Sequence, residues 1–327
     1  MQYRNLPQTD LQVATVALGC WAFAGGGNWG PQDDSDSIAT IHAALANGVN
    51  FLDTAEAYGD GFSERLIGRA LEGRRHEAVI ADKPAPGRER PEELRRACEE
   101  SLERLGTDYI DLYQQHWPNR DVPLAETVGG FERLKDEGKI RAFGVCNFGP
   151  TDLEDLLKHG KPATNQVAYS LLSRAAEFTI QPKCREHDIG ILCYSPIAQG
   201  LLTGKYRSAD EVPEGRARTK HFSGSRAQAR HGSPGVEELT FRTIDEIRRL
   251  AERYELPMAQ LSIAWLLTRP AVTAVLAGAR SPRQLEQNVA AAEMSLPDEL
   301  VSGLAEASEE LKVALGDDAD PWDYRIR

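Results

Sequence analysis

Four side chains of complementary chemistry stand at the ends of successive apolar runs: Asp53 and Tyr58, then Lys83, then His116. A phenol has a reference pKa of about 10, so Tyr58 holds its proton at neutral pH and can donate it. An ammonium beside it, Lys83, would stabilise the phenolate left behind. The Asp53 carboxylate would keep that lysine charged and oriented, and His116 could hydrogen-bond a substrate oxygen or relay its proton. Singly, each has a plain structural reading: Asp53 as a helix cap, Tyr58 as packing, Lys83 as a solvated strand end, and His116 as a structural histidine beside Trp117-Pro118. Together, on the ends of three adjacent strands, they read as a proton-transfer site.

The elements that position them alternate regularly. Apolar strand-like runs are predicted at 13–19, 51–54, 78–81, 109–116, 142–146, 163–166, 190–194 and 272–276, with helical spacing between them. Ile38, Ile41 and Leu45 share a helix face, and a second helix starts near Ser63. Pro91 opens a helix that Gly106 ends, and Ser281-Pro282 opens another. Single helices are expected over 175–187 and near 298–314. A turn at Gln8-Thr9-Asp10 marks an N-terminal hairpin. Eight strands, each followed by a helix, predict an α/β fold of the (β/α)8 TIM-barrel type, with long loops on its active face and one domain over 1–327. The active face is the one formed by the C-terminal strand ends, where Asn147, Gln166 and Tyr194 also fall.

Net charge and cysteine usage narrow the partners. At -12 the chain would repel nucleic acid and anionic membranes. Five scattered cysteines without a Cys-x-x-Cys pair suggest reduced thiols and no metal site. With no signal-like start and no long apolar run, a cytoplasmic protein is expected. Gly25, Gly27 and Gly30 match a G-x-G-x-x-G spacing, but Pro31-Gln32-Asp33-Asp34 intervenes before the next helix and carries two acids, so a flexible loop near substrate is the reading here. A Rossmann-type dehydrogenase using these glycines is the competing one. Residues 207–235, rich in Arg, Ser, Gly and Ala, read as a mobile excursion.

The sequence resembles the aldo-keto reductases over nearly its whole length. The resemblance is carried by GVNFLDTAEAYG (48–59), DLYQQH (111–116), GKIRAFGVCNF (138–148), NQVAYS (165–170) and YSPIAQGLLTGKY (194–206). It is nearest to the general bacterial type that shares a subgroup with potassium-channel β-subunits. It implies a catalytic tetrad at Asp53, Tyr58, Lys83 and His116, and NADPH, or less favourably NADH, lying extended across the barrel mouth. Asn147 and Gln166 would hold the carboxamide and Tyr194 would stack on the nicotinamide, with Trp21 nearby. Ser195, Pro196, Ala198, Gly200, Leu202 and Lys205 would cover the diphosphate. Arg280 and Ser281 would meet the 2'-phosphate, with Gln284, Gln287 and Asn288 behind them. Cys146 stands where the family often has Ser, and Gln284 where many members place Arg. Trp21, Phe23, Trp29 and Trp117 suggest an aromatic-lined pocket for a small carbonyl substrate. The implied activity is reduction of aldehydes or ketones. The alternative is a dinucleotide-binding regulatory subunit with little turnover. Oligomeric state is not legible.

Overall fold

Alternation along each strand decides which side chains reach the barrel axis. The computed structural model describes residues 1–321. Its strands are β1 (Tyr3–Asn5), β2 (Gln12–Ala14), β3 (Val16–Gly19), β4 (Phe51–Asp53), β5 (Val79–Asp82), β6 (Ile110–Gln115), β7 (Ile140–Cys146), β8 (Thr164–Ala168), β9 (Gly190–Tyr194) and β10 (Val272–Gly278). The last eight close into a parallel barrel, β3 to β10 in chain order, with β10 returning to β3. Inward-facing Ala17, Phe51, Ala81, Leu112 and Leu192 form one apolar cluster, while Leu18, Leu52, Ile80, Tyr113 and Phe143 join another with the helices outside. Two residues beyond the inward set come Asp53, Lys83, Gln114 and Tyr194. The period of two therefore aims them at the axis.

The antiparallel pair β1 and β2 closes the far end of the barrel. Leu6, Leu11 and Val13 are fully buried or nearly so against the inward cluster, each contributing about 1.5–3 kcal/mol of burial. The Arg4 guanidinium, on β1, donates to the carbonyls of Val272 and Leu267.

The helices are α1 (Gly26–Trp29), α2 (Asp34–Ala46), α3 (Phe62–Ala70), α4 (Pro91–Leu105), α5 (Leu124–Asp136), α6 (Pro150–Leu156), α7 (Ile180–Glu186), α8 (Glu237–Arg253), α9 (Met258–Leu267), α10 (Pro282–Val289), α11 (Asp298–Ala307) and α12 (Glu309–Leu315). Helix α4 shows how composition sets limits. Pro91 occupies its first turn, Leu94, Ala97, Cys98, Leu102 and Leu105 bury one face, and Gly106 adopts the left-handed conformation that ends it. Among the described residues, no helix is long and apolar enough to cross a membrane.

Several expected elements differ. The single helix over 175–187 is a 3-10 turn, Ala175–Glu177, followed by α7, and the last helix breaks at Ser308. At that break the Ser308 hydroxyl donates to the Leu304 carbonyl and accepts from Arg174. The glycine-rich loop contains a 3-10 turn, Trp21–Ala24, and α1. The excursion over 207–235 packs on the barrel. Phe222 and Ala217 are fully buried and Val212 nearly so, while Arg226 pairs with Glu237 of α8. Its few apolar residues are spaced as anchors, which a composition count overlooks.

Candidate active site

Asp53, Lys83 and Tyr58 meet at the C-terminal mouth of the barrel. Lys83 is completely buried, and its Nζ lies 2.9 Å from both Asp53 carboxylate oxygens, 2.6 Å from the Thr54 carbonyl and 3.5 Å from the Tyr58 hydroxyl. Burial by itself would discharge such an ammonium. The Asp53 carboxylate, followed by the Tyr58 oxygen and the Cys146 sulfur, reverses this and holds the Lys83 pKa above its ordinary value. Burial pushes the Tyr58 phenol upward, against the opposing pull of Lys83, so the phenol carries its proton at neutral pH. The Tyr58 ring is edge-on to His116, with centroids 6.1 Å apart. Burial, reinforced by Lys83, pushes His116 down to about 3, making it a neutral imidazole at physiological pH. The three strand ends thus assemble a protonated phenol, a fixed ammonium and a neutral imidazole, a set suited to delivering a proton onto an oxygen.

The aromatic residues divide. Trp21 stacks on Tyr58 at 6.0 Å and meets Trp29 edge-on at 5.3 Å, so both border the site. Phe23, expected in the substrate pocket, is instead 1% exposed and packs with Leu18, Ile41 and Leu66, because the 3-10 turn carries it away from Trp21 into the layer beneath α2 and α3. Trp117 is half-buried directly after His116, and its carbonyl accepts from the Gln115 amide.

Asn147 and Gln166 are brought to the site but already have partners. Asn147, at φ +61°, donates to the His116 carbonyl and accepts from the Tyr194 hydroxyl at 2.9 Å. The Gln166 amide donates to Asp53 at 2.7 Å. Close packing behind them depends on Gly144, where a Cβ would stand 2.4 Å from Thr164 Oγ1.

Beyond Tyr194 the chain turns sharply, with positive φ at Ser195, Ala198, Gln199 and Gly200; Pro196 lies within this bend. Several backbone amides of this bend turn back onto the loop itself. The N–H groups of Ala198, Gly200 and Leu202 donate to the loop's own carbonyls, and the Leu202 side chain is in the core. Side-chain cations converge there instead: a Cβ on Gly200 would lie 3.5 Å from Lys205 Nζ and 3.7 Å from Arg216 Nη1. Arg216 also donates to the Tyr206 hydroxyl and lies over the Trp29 ring, 5.8 Å from its centroid. Sequence reading overlooked Arg216 because it belongs to the discounted excursion; the arginine content of that segment was the available signal.

A groove of about 480 Å³ is lined by Pro31, Gln32, Asp33, Asp36, Arg280, Ser281 and Gln284. Here Arg280 is engaged: it donates to Gln32 Oε1 and the Trp29 carbonyl, both at 2.7 Å, and to the Pro31 carbonyl. Ser281 caps α10, Gln284 accepts from the Arg280 N–H at 2.9 Å, and Asn288 is buried and donates to the Gly278 carbonyl. Gln287 is exposed. Gln32 is a second residue that spacing did not single out.

Comparison with known proteins agrees with this architecture. Residues 15–309 match the aldo/keto reductase family. The chain is 35% identical to aldo-keto reductase YhdN of Bacillus subtilis, covering 88% of this chain and 87% of that protein. It is 34% identical to the NADH-specific methylglyoxal reductase of Escherichia coli, covering 94% and 98%. It superimposes on the glycerol dehydrogenase AKR11B4 of Gluconobacter oxydans with a TM-score of 0.80 at 31% identity, covering 99% and 98% of the two chains. An aldo-keto reductase from Klebsiella pneumoniae in complex with NADPH aligns with a TM-score of 0.71 at 31% identity over 90% and 91%. A closed eight-stranded barrel carrying these side chains at its mouth, matched along its length by such relatives, belongs to the aldo/keto reductase family, and the protein is an NAD(P)-dependent oxidoreductase.

Proposed function

We propose that the protein reduces aldehydes or ketones to alcohols with NADPH, reversibly, as a general bacterial aldo-keto reductase of the type grouped with the channel β-subunits. The observation that carries this reading is the Lys83 ammonium held between Asp53 and a protonated Tyr58 beside a neutral His116. When bound, the reduced nicotinamide supplies a hydride to the carbonyl carbon. Tyr58 delivers the proton to the carbonyl oxygen, Lys83 stabilises the phenolate that remains, Asp53 keeps Lys83 charged, and His116 donates one N–H to orient the carbonyl. Trp21 and Trp29 border the substrate, and Trp117 follows His116 on the same rim. Steady oxidation of NADPH on addition of an aldehyde and ketone panel is the expected result; tight NADPH binding without turnover across the panel would count against reduction.

The residues present fit an extended dinucleotide. Tyr194 offers a flat aromatic face at the mouth, Lys205 and Arg216 offer two cations at the left-handed turn, and the groove beside Arg280 and the capped start of α10 offers an anion site. Lys205→Ala and Arg216→Ala should each weaken NADPH and NADH alike, by roughly 10-fold or more, as expected for losing a charge-assisted contact to a diphosphate. Binding titrations with both cofactors check this. Arg280→Ala should behave differently. It removes a guanidinium placed for the 2'-phosphate that NADH lacks, so NADPH affinity should fall at least ~10-fold more than NADH affinity. Equal losses would assign Arg280 to tethering the Trp29–Gln32 segment alone. Asp33 and Asp36 line the same groove and oppose a phosphate there, which is why the ratio of the two affinities is the decisive measurement.

A further inference from the structure

Strand β8 lies opposite β4 across the ring, four places away in the eight-strand order. Gln166 on β8 nevertheless reaches Asp53 on β4: its Nε2 stands 2.7 Å from Asp53 Oδ2, and both residues are 3% exposed. Chemistry fixes the orientation of this amide. Asp53 faces the Lys83 ammonium with both oxygens, so it is an ionised, acceptor-only carboxylate, and only the NH2 end of Gln166 can bond to it. The three Lys83 N–H groups are meanwhile directed at Asp53, Thr54 and Tyr58. Gln166 is therefore a second partner fixing the carboxylate, independent of Lys83.

We infer that Gln166 is a positioning residue of the proton-transfer site: it holds Asp53 on the barrel axis by a donor bond, and its Oε1, thereby turned the other way, is left as an acceptor for the carboxamide N–H of the cofactor. This inference rests on the reductase reading above. One side chain would then link cofactor seating to the Asp53–Lys83 pair. A role limited to the carboxamide would make Gln166 matter for cofactor affinity alone.

Two variants separate these possibilities. The titratable groups around the Asp53–Lys83 pair, with Lys83 directly after β5, are Tyr58 after β4, Cys20 after β3, Cys146 from β7 and His116 after β6. Of these, His116 is neutral, and the two thiols are pushed up by burial and stay protonated, so none introduces a new charge change between pH 5 and 8. Gln166→Leu should lower kcat at saturating NADPH by roughly 10- to 100-fold, the effect of losing a hydrogen bond to a charged group. Gln166→Glu should be similarly impaired at pH 8 and recover as pH falls toward 5, because only a protonated carboxyl can donate to Asp53.

The same variant reports without cofactor. A buried glutamate beside Asp53 has a folded-state pKa raised above its unfolded value of about 4.3. Its stability contribution is complete below that value and is lost as pH rises through the folded pKa, so its deficit in thermal midpoint against wild type should be small at low pH and grow with pH. Gln166→Leu with wild-type kcat and only weakened cofactor binding would overturn the inference, as would Gln166→Glu tracking wild type in kcat and midpoint at every pH. Wild type inactive on the carbonyl panel would instead sink the reductase reading, with the cofactor-free midpoints still deciding the role of Gln166.

Discussion

Tyr58→Phe is expected to bind cofactor as wild type does and to lose about 10²- to 10⁴-fold in turnover, the usual contribution of a positioned general acid. The ring face that stacks with Trp21 at 6.0 Å survives the change, and so does the bond from Lys83 to Asp53. What disappears is the one oxygen at that position able to pass a proton to a carbonyl. Binding titration and single-turnover kinetics on the same preparation separate the two effects. Undiminished carbonyl reduction by this variant would remove Tyr58 from the mechanism. A proportional loss of cofactor binding would show that the hydroxyl serves structure rather than chemistry.

Replacing Lys83 with Met should damage both stability and activity. Lys83 is buried with Asp53, and taking away one member of a buried pair leaves the other as an uncompensated charge, at a cost of about 3–5 kcal/mol. Chemical denaturation of the cofactor-free protein measures this. The pH range follows from the sign of the shift. The Lys83 pKa is raised in the folded protein, so the stabilisation is fully present below the unfolded lysine value of about 10.4 and is lost only as pH rises through the folded value. At pH 7 the variant should show the whole deficit. The double variant Asp53→Asn with Lys83→Met should regain much of the stability and none of the turnover, since it removes the orphan carboxylate but not the need for a cation beside Tyr58. A Lys83→Met protein as stable as wild type would mean that the bond Asp53 already accepts from Gln166 is enough to hold the carboxylate without the ammonium.

Much of this arrangement is legible one residue at a time. Asp53 follows Phe51 by two positions, Lys83 follows Ala81, and His116 follows Leu112 by four, so local periodicity alone aims all three inward once the strands are recognised. Pro91, Gly106 and Ser281 mark helix ends because proline, left-handed glycine and a hydroxyl cap act within one turn of chain. Phe23 shows the converse. Its neighbours in the core, Ile41 and Leu66, come from helices that spacing cannot bring near it.

The βα rhythm, the barrel and the identity of the strand-end acid, phenol, ammonium and imidazole are thus legible in residue order, because they depend on interactions between residues close along the chain. Folding in three dimensions is what brings Gln166 across the barrel to Asp53, gathers Arg216 near Lys205 at the turn after β9, and ties Arg280 to the segment from Trp29 to Gln32. The residues so brought together stand 113, 11 and 248 positions apart along the chain. Each depends on where ring closure and loop packing carry whole elements, and a few ångströms separate a hydrogen bond from none.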